Sequence, residues 1–213
     1  MLNTLEFWSI QALHLLWQDL DWMLWNTGLA LIPLGLSGWL FQRARSRSVL
    51  WWLGLFTFIL FWPNAPYVLT DIIHIIAAIR SGVSVWLVSL VLVPAYALFM
   101  AVGVECYVIS VIRLGQYLRR WGAPWAVTGM ELFTHALCAI GIYLGRFIRF
   151  NSWDVLTRPD AVLHTTLTQL TSQWPLLIML ITFGVITVTY WLCKQVTLAI
   201  AWYWPNRHRL SQL

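Results

Sequence analysis

The sequence predicts an all-α membrane protein, a polytopic helix bundle with about five spans. Of its 213 residues, 60% are hydrophobic and only 10% are charged. A soluble domain carries roughly 25% charged residues. The mean hydropathy is +0.73, and the apolar residues fall into several long runs. Sixteen Trp and seven Tyr agree with this class, because their amphipathic rings favour the boundary between water and lipid.

The spans follow one another along a single membrane domain, residues 22–198. Residues 1–21 carry too many polar side chains to cross a membrane, so we expect this N-terminal segment on the membrane surface. Residues 199–213 are expected to form a cytoplasmic tail. The predicted spans are 22–41, 49–62, 83–112 with a kink at Pro94, 124–144 and 175–198.

Two shorter helices are expected between these spans. Pro63 and Pro66 stop the second span, because proline supplies no N–H and disfavours the α conformation of the preceding residue. Residues 63–79 are therefore predicted as a broken, re-entrant or interfacial helix. Residues 160–173 place leucines on one helical face, as in a helix lying on the membrane surface.

The basic residues predict the orientation. With the N-terminus outside, nine of the thirteen Lys and Arg are cytoplasmic, as the positive-inside rule requires. The cytoplasmic ones are Arg43, Arg45, Arg47, Arg113, Arg119, Arg120, Lys194, Arg207 and Arg209, and the outer ones are Arg80, Arg146, Arg149 and Arg158. We therefore expect the inner (plasma) membrane, a cytoplasmic C-terminus, and segments 63–74 and 145–154 together on the outer side.

The first motif runs from Trp62 to His74 with the letters WPNAPYVLTDIIH. We expect Asn64 to cap a new helix on which Tyr67, Asp71 and His74 share its face. An aspartate and a histidine that face the same way near the membrane core indicate a site. Thr70 belongs to the same candidate set, and Asp71 and His74 are candidate metal ligands, although two ligands are too few for a metal site. The alternative is an interfacial helix whose polar face meets water.

The second motif, GRFIRFNSWD, continues the fourth span and contributes Arg146, Arg149, Asn151 and Asp154 to the candidate site. Upstream in that span, Glu131 and His135 fall on the helical face of Arg146. Glu105 lies at a similar depth in the third span, so these three polar side chains could meet inside the membrane. The alternative is that each satisfies polar groups of neighbouring helices, with one carboxyl protonated.

These two motifs resemble the bacterial membrane proteins of the domain-of-unknown-function 1361 family. The shared pattern is Pro-Asn-Ala-Pro-Tyr, then Thr-Asp and a His, then Gly-Arg and Arg-x-Asn-Ser-Trp-Asp, over roughly residues 50–190. Trp62 departs from it, since a smaller aliphatic residue is expected there. The resemblance implies a multi-pass membrane protein and carries no established activity or cofactor.

Three functions remain open at this point. The first is a binding or scaffolding protein, which the small loops and the lack of a complete catalytic signature favour. The second is an enzyme acting on a lipid or lipid-linked anion, with Arg146 and Arg149 holding the anion and Asp71 and His74 acting as a base pair. The third is a transporter using the Glu131–His135 stripe. Expected partners are membrane lipids and, for a scaffold, other membrane proteins. Short basic clusters between apolar runs do not indicate nucleic acid.

Overall fold

The computed structural model describes residues 4–44 and 46–210, with side chains for 10–44, 46–204 and 206. Every regular element among them is a helix, which confirms the predicted class. Five segments of the described chain are long and apolar enough to cross a membrane, so the protein is a multi-pass membrane helix bundle. These segments are Ile10–Arg43, Val49–Arg80, Val85–Arg120, Ala126–Ile148 and Gln173–Trp204.

The helices are joined by short turns, several of which keep the helical path. The α-helices of the described residues are α1 (Thr4–Gly38), α2 (Val49–Phe61), α3 (Asn64–Tyr67), α4 (Ile72–Arg80), α5 (Val85–Leu87), α6 (Val93–Arg120), α7 (Ala126–Tyr143), α8 (Asp154–Thr157), α9 (Pro159–Leu170) and α10 (Gln173–Leu210). A 3₁₀ turn, Val68–Asp71, joins α3 to α4. The π turns are Trp39–Arg43 after α1, Val88–Leu92 before α6 and Leu144–Ile148 after α7.

Three helices run further than the predicted spans. The N-terminal segment, from Thr4, belongs to α1 without a break at residue 22, since no Gly or Pro interrupts it. The predicted third span continues to Arg120, because arginines near a helix C-terminus favour the helix rather than end it. At 38 residues, or about 57 Å, α10 also includes most of the predicted tail. Residues 1–3 and 211–213 lie outside the described part of the chain.

The second span continues past Pro63 instead of turning back. Phe58 packs against Phe41 with ring centroids 5.2 Å apart, and His74 stacks on Trp22 at 4.4 Å. As the chain advances from residue 58 to 74, its partners in the first span move back from 41 to 22, so the two segments stay antiparallel. The segment 63–79 is therefore an irregular continuation of the second span, and the re-entrant alternative is wrong.

This irregular stretch is packed inside the bundle, between α1, α6 and α7. A Cβ added to Gly103 of α6 would lie 2.5 Å from Val68 Cγ2, and one added to Gly141 of α7 would lie 2.7 Å from Pro63 Cβ. The two glycines thus let the backbone of the broken helix approach closely, as small residues do between membrane helices.

The predicted helix at 160–173 is present as α9, Pro159–Leu170. Leu163 and Leu167, on its predicted apolar face, are 62% and 57% exposed instead of packed on the bundle. That exposure agrees with a helix lying on lipid, and its place at the membrane surface stays a prediction. A π turn, Val88–Leu92, lies directly before α6, which contains Pro94, and the kink at Pro94 stays a prediction.

Candidate functional site

Side chains hydrogen-bond to the backbone at the break in the second span and stabilise it. Prolines 63 and 66 have no N–H, so some carbonyls of the helix lose their usual partner. Asn64 donates from Nδ2 to the carbonyl of Phe61 and to Oγ of Ser152, both at 3.0 Å. The expected N-cap role of Asn64 is therefore wrong, because its side chain bonds back to the preceding helix and across to the second motif.

An ion pair joins the two motifs. Arg146 Nη2 lies 3.1 Å from Asp71 Oδ1 and donates to the carbonyl of Thr70 at 2.7 Å. Its Nη1 donates to the hydroxyl of Tyr67 at 3.4 Å. The side chain of Asp71 is 1% exposed, whereas that of Arg146 is 23% exposed. Because Arg146 neutralises the buried carboxylate and satisfies a carbonyl in the break, the pair stabilises the site's backbone.

His74 lies at the edge of this contact. Its Nε2 is 3.9 Å from Asp71 Oδ1, and its ring stacks on Trp22 of α1 at 4.4 Å. Nearby, Asp19 accepts hydrogen bonds from Trp22 Nε1 and from the Tyr96 hydroxyl, at 3.2 and 2.8 Å. Among the side chains that the structure describes, no three or more His, Cys, Asp and Glu come together as a metal site would need.

The second motif forms a turn closed by Asp154. Arg149 adopts a left-handed conformation, with φ at 66° and ψ at 32°, which ends the preceding π turn. Asp154 is buried and accepts hydrogen bonds from Arg158 Nη2 and from the Asn151 N–H, both at 2.7 Å. These bonds stabilise the carboxylate and lower the pKa of Asp154. The side chain of Arg149 is exposed and makes no hydrogen bond or ion pair with the described residues.

The structure therefore brings most of the predicted site residues together, but Asp154 and Arg149 make no hydrogen bond with the first motif among the described residues. Asn64, Tyr67, Thr70 and Asp71 meet Arg146 or the second motif directly. Asp154 lies in the second motif's own turn, because Arg158 is one turn further along the chain and takes that carboxylate. Arg149 does not join the cluster either, since its left-handed turn leaves it exposed.

A cavity of about 370 Å³ lies between the two motifs and the first two spans. The first motif contributes Pro63, Asn64 and Tyr67, and the second contributes Gly145 and 150–153. The remaining walls come from Trp25, Asn26, Leu29, Phe56, Ile59, Leu60, Phe61, Gly141, Leu144, Val155 and Val162. The cavity is thus amphiphilic, with amide and hydroxyl groups beside the motifs and apolar side chains along α1 and α2.

A family model described as "Protein of unknown function (DUF1361)" matches residues 25–188, which include both motifs. The chain belongs to the DUF1361 family. The matched region also contains every residue that lines the cavity. Trp62, the residue at which the first motif differs from the expected pattern, packs on Phe58 with ring centroids 4.4 Å apart. No curated protein and no solved structure matches the chain.

This DUF1361 protein has a second polar cluster nearer the basic ends of its helices. Glu131 accepts hydrogen bonds from Lys194 Nζ at 2.5 Å and from the Tyr190 hydroxyl at 2.8 Å. His135 Nδ1 is 2.5 Å from the Tyr107 hydroxyl, and its ring contacts Tyr190 at 4.7 Å. Glu131 and His135 therefore share a partner. Glu105 accepts a hydrogen bond from Thr197 of α10, at 2.7 Å, as in the alternative in which each polar side chain satisfies a group of a neighbouring helix.

Sequence reasoning missed several residues of the DUF1361 site. Ser152 lies inside the second motif, but nothing in that motif marks its hydroxyl as the partner of the Asn64 amide. Asn26 can be recognised in the sequence as a candidate site residue, because it is a polar residue in an otherwise apolar span. The apolar wall residues carried no signal, since Phe56 and Ile59 resemble any other lipid-facing side chains of a span.

Proposed function

We propose that this DUF1361 protein binds an amphiphilic molecule of the membrane, a lipid or a lipid-linked compound, in the cavity between its two motifs. The cavity carries the proposal, since its volume of about 370 Å³ lies in the range of small-ligand sites. Asn64 and Ser152 would hold the head group. Phe56 and Ile59, 47% and 46% exposed, would guide the apolar chain towards the surrounding lipid.

The same geometry gives less support to catalysis by Asp71 and Arg146. Neither residue lines the cavity, the carboxyl of Asp71 is 1% exposed, and Arg146 is already bonded to three groups. A general base must come within hydrogen-bond reach of the proton that it removes. The pair therefore favours a structural role beneath the binding cavity over the enzyme alternative.

We further propose the plasma membrane, with the N-terminus outside and the cavity in the outer half. Arg47 donates to the Tyr117 hydroxyl at 3.1 Å, and Arg113 donates to the Leu34 carbonyl at 2.9 Å, so the basic ends of the first three spans lie together. Trp25 at the cavity is 18 residues from Arg43, or about 27 Å along α1. Such basic ends face the cytoplasm by the positive-inside rule.

Photolabelling tests the binding proposal. The full-length protein is reconstituted with a phospholipid that carries a diazirine on its acyl chain, and the labelled peptides are identified by mass spectrometry. We expect labelling at 56–64 to be lost in Val155→Trp, which fills the cavity from a wall residue. The matched control Val188→Trp lies on α10, 60% exposed, and should leave that labelling unchanged. Equal labelling in both variants would contradict the proposal.

A further inference from the structure

The polar groups of the cavity indicate which head group it takes. Resting on the proposed function, we infer that the ligand has an uncharged head group whose hydroxyl or amide groups both donate and accept hydrogen bonds, as the sugar of a glycolipid does. A phosphate head group is the excluded class. Three observations support this inference: the charge of the walls, the pairing of the nearby charges, and the free hydrogen-bonding capacity of the walls.

No charged side chain lines the cavity among the described residues. Its polar side chains are the amides of Asn26, Asn64 and Asn151, the hydroxyls of Tyr67 and Ser152, and the indoles of Trp25 and Trp153. An anion that enters this cavity loses its hydrating water and finds no cation to balance its charge. That desolvation is costly in a cavity with apolar walls. An uncharged polar head group avoids this cost.

The nearest cations are already neutralised. Arg146 is paired with Asp71 and Arg158 with Asp154, at 3.1 and 2.7 Å. The charge of each arginine is therefore already balanced, and a phosphate would have to compete with a buried carboxylate for it. Arg149 is the remaining neighbouring cation, but it is exposed and does not line the cavity.

The free hydrogen-bonding groups of the walls include both donors and acceptors. Asn64 uses Nδ2 for two hydrogen bonds, which leaves its Oδ1 as an acceptor, and Ser152 accepts one of these bonds and can still donate its proton. Asn151 bonds to Asp154 through its backbone N–H and its side-chain amide lies against the same carboxylate, which leaves the amide oxygen and a second N–H for a ligand. A phosphate only accepts hydrogen bonds, whereas a sugar hydroxyl does both and can satisfy this mixed set.

A head-group competition tests the inference on the full-length protein. Equal amounts of glucosyl-diacylglycerol and phosphatidylglycerol with identical acyl chains are added in detergent, and bound lipid is counted by native mass spectrometry. Both head groups carry hydroxyls, and only that of phosphatidylglycerol carries a charge. We expect about tenfold more bound glucosyl lipid, the ratio that one or two net hydrogen bonds produce. Asn151→Leu should remove this preference and keep the turn closed, because Asp154 retains its bonds to Arg158 and to the backbone N–H of residue 151.

The controls separate failure of this inference from failure of the proposed function. Asn206→Leu makes the same change on α10, and Arg149→Gln removes the exposed cation; both should keep the preference for the glucosyl lipid. Preferential phosphatidylglycerol binding that falls in Asn151→Leu or Arg149→Gln would overturn the inference and leave lipid binding intact. Binding of both lipids that no cavity variant changes would overturn the proposed function itself.

Discussion

Asp71 and Arg146 decide the geometry of the site at the scale of single residues. Asp71 is buried in the 3₁₀ turn of the second span, and Arg146 comes from the π turn after α7, so their contact joins segments far apart in sequence. Arg146 also satisfies the Thr70 carbonyl, at 2.7 Å. A buried carboxylate with no cation is costly. Removing Arg146 should therefore lower the stability of the protein more than removing Asp71 does.

Arg146→Gln should destabilise the protein by about 3 kcal/mol, because it leaves the carboxyl of Asp71, 1% exposed, without its cation. Asp71→Asn should cost less, because Arg146 is 23% exposed and can turn towards solvent. The double variant should recover part of the loss. The check is the unfolding free energy in mild detergent, with Arg80→Gln, exposed at the end of α4, as the control. Equal stability of Arg146→Gln and Arg80→Gln would show that the pair is not needed.

At the scale of helices, two glycines on other helices make room for the break in the second span. Gly103 and Gly141 face Val68 and Pro63 at distances that a side chain could not accept. The break replaces part of the α-helix by a 3₁₀ turn, Val68–Asp71, and the neighbouring backbones come close to it. The cavity forms beside this close contact, with Gly141 in its wall.

Gly103→Ala and Gly141→Ala should therefore each destabilise the bundle by about 1–3 kcal/mol through overpacking. Gly28→Ala and Gly184→Ala are matched controls, because nothing lies within 4 Å of a Cβ added there. These controls should be neutral or slightly stabilising, since Ala favours a helix over Gly. Thermal unfolding of the four variants in one detergent makes the comparison, and four equal shifts in melting temperature would argue against close packing at the break.

The spans and the proximity of the two motifs can be predicted from the sequence, because apolar runs, prolines and arginines affect the chain close to where they occur. Pro63 marked the end of α2, yet the continued direction of the chain depends on Gly103 and Gly141, which hydropathy does not identify. Asp154 pairs with Arg158, which lies one turn away along the chain, rather than with a residue distant in sequence. The cavity arises from side chains on α1 and α2 whose packing no short motif encodes.

At the scale of the whole molecule, the arrangement of charges gives the bundle two unlike ends. Arg47 and Arg113 contact the neighbouring spans at one end, while Arg80 and the second motif lie towards the other. The candidate cavity lies about 27 Å along α1 from Arg43, close to the far boundary of a hydrocarbon core ~30 Å thick. A head group bound there would remain near the interface while its chain stayed among lipid.

Cysteine labelling tests this orientation in intact cells. Ser81→Cys, in the exposed turn after α4, should react with a membrane-impermeant maleimide from outside, whereas Arg120→Cys, at the end of α6, should react only after permeabilisation. The unmodified protein is the control, since Cys106 and Cys138 are buried and Cys193 is partly buried. The reverse labelling pattern would place the cavity in the cytoplasmic half.

The most direct test of lipid binding in the cavity is photocrosslinking from the protein to whatever occupies it in the native membrane. Benzoylphenylalanine replaces Phe56, 47% exposed in the cavity wall, or Phe133, 62% exposed on α7, as the matched control. Lipids attached after irradiation are then identified by mass spectrometry. The proposed function predicts one enriched lipid class at Phe56 and the bulk membrane composition at Phe133. The same bulk composition at both positions would contradict it.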